Sequence, residues 1–151
     1  MITKGVYSAT CSILNDDFSL NVDATIDHAS SSISGGLHGV IFFGSTGQSQ
    51  LIDLNSKKSL IYKISSHKLR KNFFLGTGCN SLKETLDLIK YGFEYEFKDF
   101  LIMPPAYYKG NSEQGVYDFY KHIIEKIPKI RIVLYNFEKL SSFLFTPVFV
   151  K

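Results

Sequence analysis

At 151 residues, 44% hydrophobic and 21% charged, the chain fits a single globular domain with one core. No apolar run nears the roughly 20 residues that span a bilayer, and residues 1–5 carry no signal-like apolar stretch, so neither a membrane nor export is expected. The net charge of +3 is spread along the chain, and only Arg70 and Arg131 are arginines; this argues against nucleic acid and predicts that the lysines sit on a solvated surface.

Apolar runs with strand character alternate with segments of helical period. The first run covers residues 5–12. A stripe of Val22, Ile26, Ala29 and Ile33 then predicts a helix, capped by Asn21 and ended by Gly35 or Gly36. A second run at 40–43 precedes a helix expected to open at Asn55 or Ser56 and to carry Leu60 and Ile64. The third run, 73–75, is followed by Ser81 and Glu84 in a capping-box pattern, with Leu82, Leu86 and Ile89 on the buried face. The fourth, 100–103, leads to a helix with Val116, Tyr120, Ile123 and Ile127, stopped by Pro128. The fifth, 130–135, precedes Thr146 and Pro147, a start signal for a last helix. Three of the runs lack polar alternation, as strands covered on both faces do.

The βα alternation implies a parallel sheet with right-handed crossovers. It fits either a complete five-stranded doubly wound sheet or part of a (β/α)₈ barrel, which in full has about 250 residues. Cys11 and Cys79 are far apart and lack metal-ligand spacing. A reduced cytoplasm is expected, with each cysteine a small buried residue. The four histidines show no zinc spacing, and neither metal nor cofactor is expected.

Functional residues in both architectures follow the C-terminal ends of strands. There the sequence places Gly44, Ser45, Thr46, Gly47 and Gln48, whose glycines permit a tight turn and whose amides and hydroxyls suit an anion. This is not a phosphate-binding P-loop, because the glycine spacing differs and no Lys-Ser/Thr pair follows. Gly76, Thr77 and Gly78 close the third run. Pro104, Pro105, Ala106, Tyr107 and Tyr108 close the fourth, and Tyr135 with Asn136 closes the fifth.

In this order, from Lys4 and Gly5 through Asn80 and the segment 113–115 to Asn136, these motifs resemble the pyruvate-dependent lyases that include dihydrodipicolinate synthase and N-acetylneuraminate lyase. The resemblance implies a partial (β/α)₈ barrel, about five of eight strands, in one incomplete domain over residues 1–151. It implies pyruvate and an aldehyde or sugar-acid substrate, a Schiff-base mechanism with an enamine intermediate, and a homo-oligomer. Ser45, Thr46 and Gly47 are then expected to hold the pyruvate carboxylate. Thr46 is expected in a hydroxyl relay with Tyr135, the proton shuttle. Tyr108, or the adjacent Tyr107, is expected to reach into a neighbouring subunit.

Three positions depart from the family pattern. Gln48 replaces a common glutamate, and Phe137 and Glu138 follow Asn136 where proline is common at the second position. Leu140 stands where dihydrodipicolinate synthases carry an arginine, which favours the sugar-acid branch and a hydroxy-aldehyde acceptor. The Schiff-base lysine of the family belongs to a sixth strand. Neither Lys139 nor Lys151 matches it, so the chain is read as truncated before that residue, with a non-catalytic carboxylate binder, or a partner of full-length subunits, as the alternative.

Overall fold

The computed structural model describes residues 4–151; the expectation drawn from residues 1–5 falls partly outside them. Strands β1 (Tyr7–Ala9), β2 (Gly39–Phe42), β3 (Phe73–Gly76), β4 (Asp99–Ile102) and β5 (Arg131–Leu134) alternate with helices α1 (Val22–Ser34), α2 (Leu54–Ser65), α3 (Leu82–Glu94) and α4 (Glu113–Lys126), and a short α5 (Glu138–Ser141) follows. All neighbours pair in parallel, in the order β1-β2-β3-β4-β5. A doubly wound sheet reverses its order at a switch point. This sheet does not reverse, and it runs as the wall of a barrel does.

Local chemistry sets the helix starts. Asn21 accepts the Ala24 amide at 3.0 Å, Ser81 the Glu84 amide at 3.3 Å and Ser112 the Gly115 amide at 3.1 Å. The second helix begins earlier than expected. Asp53 is its cap, with Oδ1 accepting the Ser56 amide at 2.9 Å, so Ser56 is the capped partner and not the cap. Helix α3 centres its buried face on Thr85, Leu88, Ile89 and Gly92, which leaves Leu82 and Leu86 on the flanks. The start signal at Thr146 yields one turn only. Thr146 Oγ1 accepts the Phe149 amide at 3.2 Å and its carbonyl accepts the Val150 amide at 3.3 Å. Sequence reasoning did not anticipate α5.

The core lies between the sheet and its helices. Val40, Phe42, Leu75, Phe100 and Ile102 face Ala29, Leu60, Ile64, Ile89 and Ile123, all buried. Coverage on both faces is complete for β3, whose four residues are all buried. It fails at β4, where Leu101 is half-exposed, and at β5, where none is buried. Two further expectations change. Cys11 is exposed, two residues past the end of β1 and next to the buried Thr10. Lys57 is buried, at 2% exposure, because it shares the apolar stripe of α2 with Leu60, Ile61 and Ile64.

Candidate active site

The loops at the C-terminal ends of the strands enclose an open cleft of about 530 Å³. Ser45 and Gln48 come to it from the loop after β2, Gly78 from the loop after β3, Tyr107 and Lys109 from the loop after β4, and Tyr135 from the tip of β5. Leu101 and Met103 form an apolar side. Across the cleft the Tyr135 hydroxyl donates to Ser45 Oγ at 2.8 Å, joining residues from strands that are not neighbours in the sheet. Thr46 is exposed, and among the described residues no hydrogen bond joins it to Tyr135. The structure therefore brings Ser45, where the sequence suggested Thr46, to the tyrosine.

The 44–48 loop turns by an unexpected route. The residues with left-handed backbone are Phe43 (φ 60°), just before the motif, and Gln48 (φ 51°), its last residue, and not its glycines. Such a conformation costs a bulky residue on the order of 1–3 kcal/mol and concentrates at functional sites. Gly47 is required for space: a Cβ there would lie 2.8 Å from the Thr10 carbonyl. Ser12 Oγ donates to the Gly47 carbonyl at 2.6 Å and ties the loop to the segment after β1. Among the described residues the amides of Ser45, Thr46 and Gly47 make no hydrogen bond; Ser45 lines the cleft, whereas Thr46 and Gly47 are not among its lining residues.

Asn80 fastens two neighbouring loops. Its Oδ1 accepts the Ala106 and Tyr107 amides at 3.2 and 3.3 Å, and its Nδ2 donates to Gln50 Oε1 at 3.0 Å. Tyr107 lines the cleft, whereas Tyr108 is 80% exposed and meets the Tyr107 ring edge-on at 5.1 Å. Lys109 is the charged residue of the cleft wall, and its Nζ donates to the Leu140 carbonyl at 3.1 Å. Sequence reasoning missed Lys109; its place directly after the paired tyrosines is the signal that pointed there. Asn136 does not enter the cleft. It exchanges hydrogen bonds with the Phe145 backbone, at 3.1 and 3.4 Å, and anchors the C-terminal segment.

Among the described residues no three His, Cys, Asp or Glu side chains cluster to hold a metal ion, and no helix is long and apolar enough to cross a membrane.

A sequence model of the dihydrodipicolinate synthetase family matches residues 2–151. The chain belongs to this family. A 4-hydroxy-tetrahydrodipicolinate synthase of Legionella pneumophila is 36% identical over 106 residues, which cover 69% of this chain and 36% of that one. An L-threo-3-deoxy-hexylosonate aldolase of Aspergillus niger is 28% identical over 144 residues, 90% of this chain and 43% of that one. Among solved structures, a dihydrodipicolinate synthase from Agrobacterium tumefaciens superposes with a TM-score of 0.88 at 22% identity, covering 97% of this chain and 52% of that one. A prophage protein of the same family from E. coli K12, solved in complex with pyruvate, superposes at 0.87 with 23% identity, over 100% of this chain and 50% of that one. The chain thus spans about half the length of these solved dihydrodipicolinate synthetase family structures, and its sheet is the corresponding part of their barrel.

Proposed function

We propose that this chain carries the keto-acid-binding portion of a pyruvate-dependent aldolase or lyase site. The observation that carries the reading is the bond between the Tyr135 and Ser45 hydroxyls across the cleft mouth. In this reading the amides of Ser45, Thr46 and Gly47, with the Ser45 and Thr46 hydroxyls, hold the carboxylate of pyruvate. Anions gain more from backbone N–H donors at a partly desolvated rim than in open water. Tyr135 passes protons between the reacting carbonyl and Ser45. The Ser45 hydroxyl, 2.8 Å away, gives the phenol proton an acceptor on the side away from the reacting carbonyl.

The apolar side formed by Leu101 and Met103 receives the methyl and methylene carbons at which carbon–carbon bonds are made or broken. The acceptor is an aldehyde or a sugar acid. The covalent step needs an amine that condenses with the keto carbon, and no lysine of this chain is assigned to it. Tyr108, exposed beside the cleft, serves a neighbouring subunit of a cytoplasmic homo-oligomer. The chain is one incomplete barrel domain. A second reading is a carboxylate binder that pairs with full-length subunits.

Borohydride reduction in the presence of pyruvate, followed by mass spectrometry, separates the two. A covalent adduct on this chain supports catalysis by the chain itself. Saturable pyruvate binding without an adduct supports the carboxylate binder. Neither binding nor adduct overturns both.

A further inference from the structure

A smaller hollow of about 300 Å³ adjoins the candidate site, and both Lys57 and Cys79 line it. Helix α2 carries the Lys57 stem inward, and its ammonium ends beneath the loop that follows β3. Nζ donates to the Thr77 carbonyl at 3.0 Å and to the Gly78 carbonyl at 3.4 Å, and it meets Cys79 Sγ at 3.6 Å. The Cys79 thiol donates to the same Thr77 carbonyl at 3.1 Å. The Phe43 ring closes one side, its centroid 5.8 Å from Nζ. Lys57 is 2% exposed and Cys79 7%.

Burial pushes the Lys57 ammonium below its ordinary pKa, against the attraction of Cys79, Glu84 and Asp53. Burial pushes the Cys79 thiol up, opposed by the Lys57 charge. Both groups are thereby shifted toward their neutral forms, amine and thiol, in contact inside a hollow that admits small molecules. The neutral amine is the nucleophile that the chemistry below needs.

We propose that Lys57 and Cys79 are a modification site for hydrogen peroxide, at which oxidation joins the two side chains by a nitrogen–sulfur bond. The neutral Lys57 amine, 3.6 Å from the sulfur, takes the Cys79 thiol proton, and the resulting thiolate attacks one peroxide oxygen. The O–O bond breaks, the sulfur gives up an electron pair, and the thiol proton, returned by Lys57, leaves with the other oxygen as water. The product is the sulfenic acid. The Lys57 amine then attacks that sulfur. The S–N bond forms, the S–O bond breaks, and the hydroxide leaves with a proton from nitrogen as a second water. One peroxide is consumed, and each side chain loses one hydrogen. Peptide nitrogens trap sulfenic acids in this way, and an amine is the stronger nucleophile. The low exposure of Cys79 keeps bulkier thiols from intercepting the intermediate. The crosslink removes the ammonium from the Thr77 and Gly78 carbonyls, and Gly78 lines the candidate site, so oxidation loosens one wall of the cleft.

The test treats the full chain with hydrogen peroxide and maps its peptides by mass spectrometry. The expected product joins the peptides bearing Lys57 and Cys79, with a combined mass lower by two hydrogens, and dithiothreitol separates them. Cys11→Ser should leave the yield unchanged, since that exposed thiol reacts independently. Lys57→Arg keeps the charge and should abolish the crosslink, with Cys79 passing on to the sulfinic acid. If Cys79 in the folded wild-type chain stays a free thiol, or reaches the sulfinic acid with Lys57 unlinked, the proposal is overturned. The outcome is independent of pyruvate binding, so its failure leaves the keto-acid reading standing, and the reverse holds too.

Discussion

Strands β3 and β5 belong to one sheet and to one pattern of sequence, yet they differ in what surrounds them. All four residues of β3 are buried, between β2 and β4 and beneath α2 and α3. None of β5 is buried, and it pairs with β4 alone. The two strands therefore contribute unequally to the stability of the chain. Hydrophobic stabilisation follows area removed from water, and a strand with one neighbour and an open inner face removes little. The candidate site straddles the two regimes. Ser45 follows the well-covered β2, and Tyr135 ends the poorly covered β5.

Truncating an apolar side chain in each strand separates their contributions. Leu75→Ala, at a fully buried position, should cost about 2–5 kcal/mol, enough to unfold a marginal chain. Val133→Ala in β5 should cost about 1 kcal/mol or less. Urea denaturation followed by circular dichroism reads both. Equal losses would contradict the proposed division. The open edge has a related consequence, since unpaired strand groups invite association. The isolated chain should melt broadly, or cooperatively only as an oligomer, in light scattering and calorimetry at several concentrations.

A smaller effect sharpens the picture at the β4–β5 seam. The Arg131 guanidinium grips the Asp99 carboxylate with two bonds of 2.6 Å. Burial pushes Asp99 up, but the hydrogen bond and charge of Arg131 outweigh it and hold the carboxyl below its ordinary value. A carboxyl depressed on folding stabilises the fold above its unfolded pKa of about 3.9 and loses that contribution as pH falls through the folded value. Arg131→Met should therefore cost about 1 kcal/mol at neutral pH, and the cost should fade in acid below about pH 4. A penalty that persists there would assign the arginine's role to packing. The smallest expected change is at Tyr135, partly exposed at the strand tip. Tyr135→Phe should leave the unfolding midpoint unchanged within about 0.5 kcal/mol equivalent.

Much of the fold is legible in the sequence because its signals are local. Asn21, Ser81 and Pro128 mark helix ends by chemistry that acts within one turn. Asp53 went unread because three polar residues compete within a few positions, and only coordinates show which oxygen meets which amide. The site is legible at the level of loops and illegible at the level of atoms. Ser45 and Thr46 offer the same hydroxyl, and nothing in the residue types announces the left-handed turns at Phe43 and Gln48 that bracket them, where the sequence shows no glycine. Lys57 was expected in solvent as a lysine, although its spacing to Leu60, Ile61 and Ile64 already placed it on the apolar stripe.

Binding of a keto acid in the Ser45–Tyr135 hollow is read by titrating the folded chain with pyruvate, by isothermal calorimetry or by line broadening of labelled pyruvate. Saturable binding is expected in the wild type. Ser45→Ala and Tyr135→Phe should weaken it about tenfold, as loss of a hydrogen bond serving a charged group does, while circular dichroism stays unchanged. Wild-type affinity retained by both variants, or no binding by the folded wild type, would contradict the account.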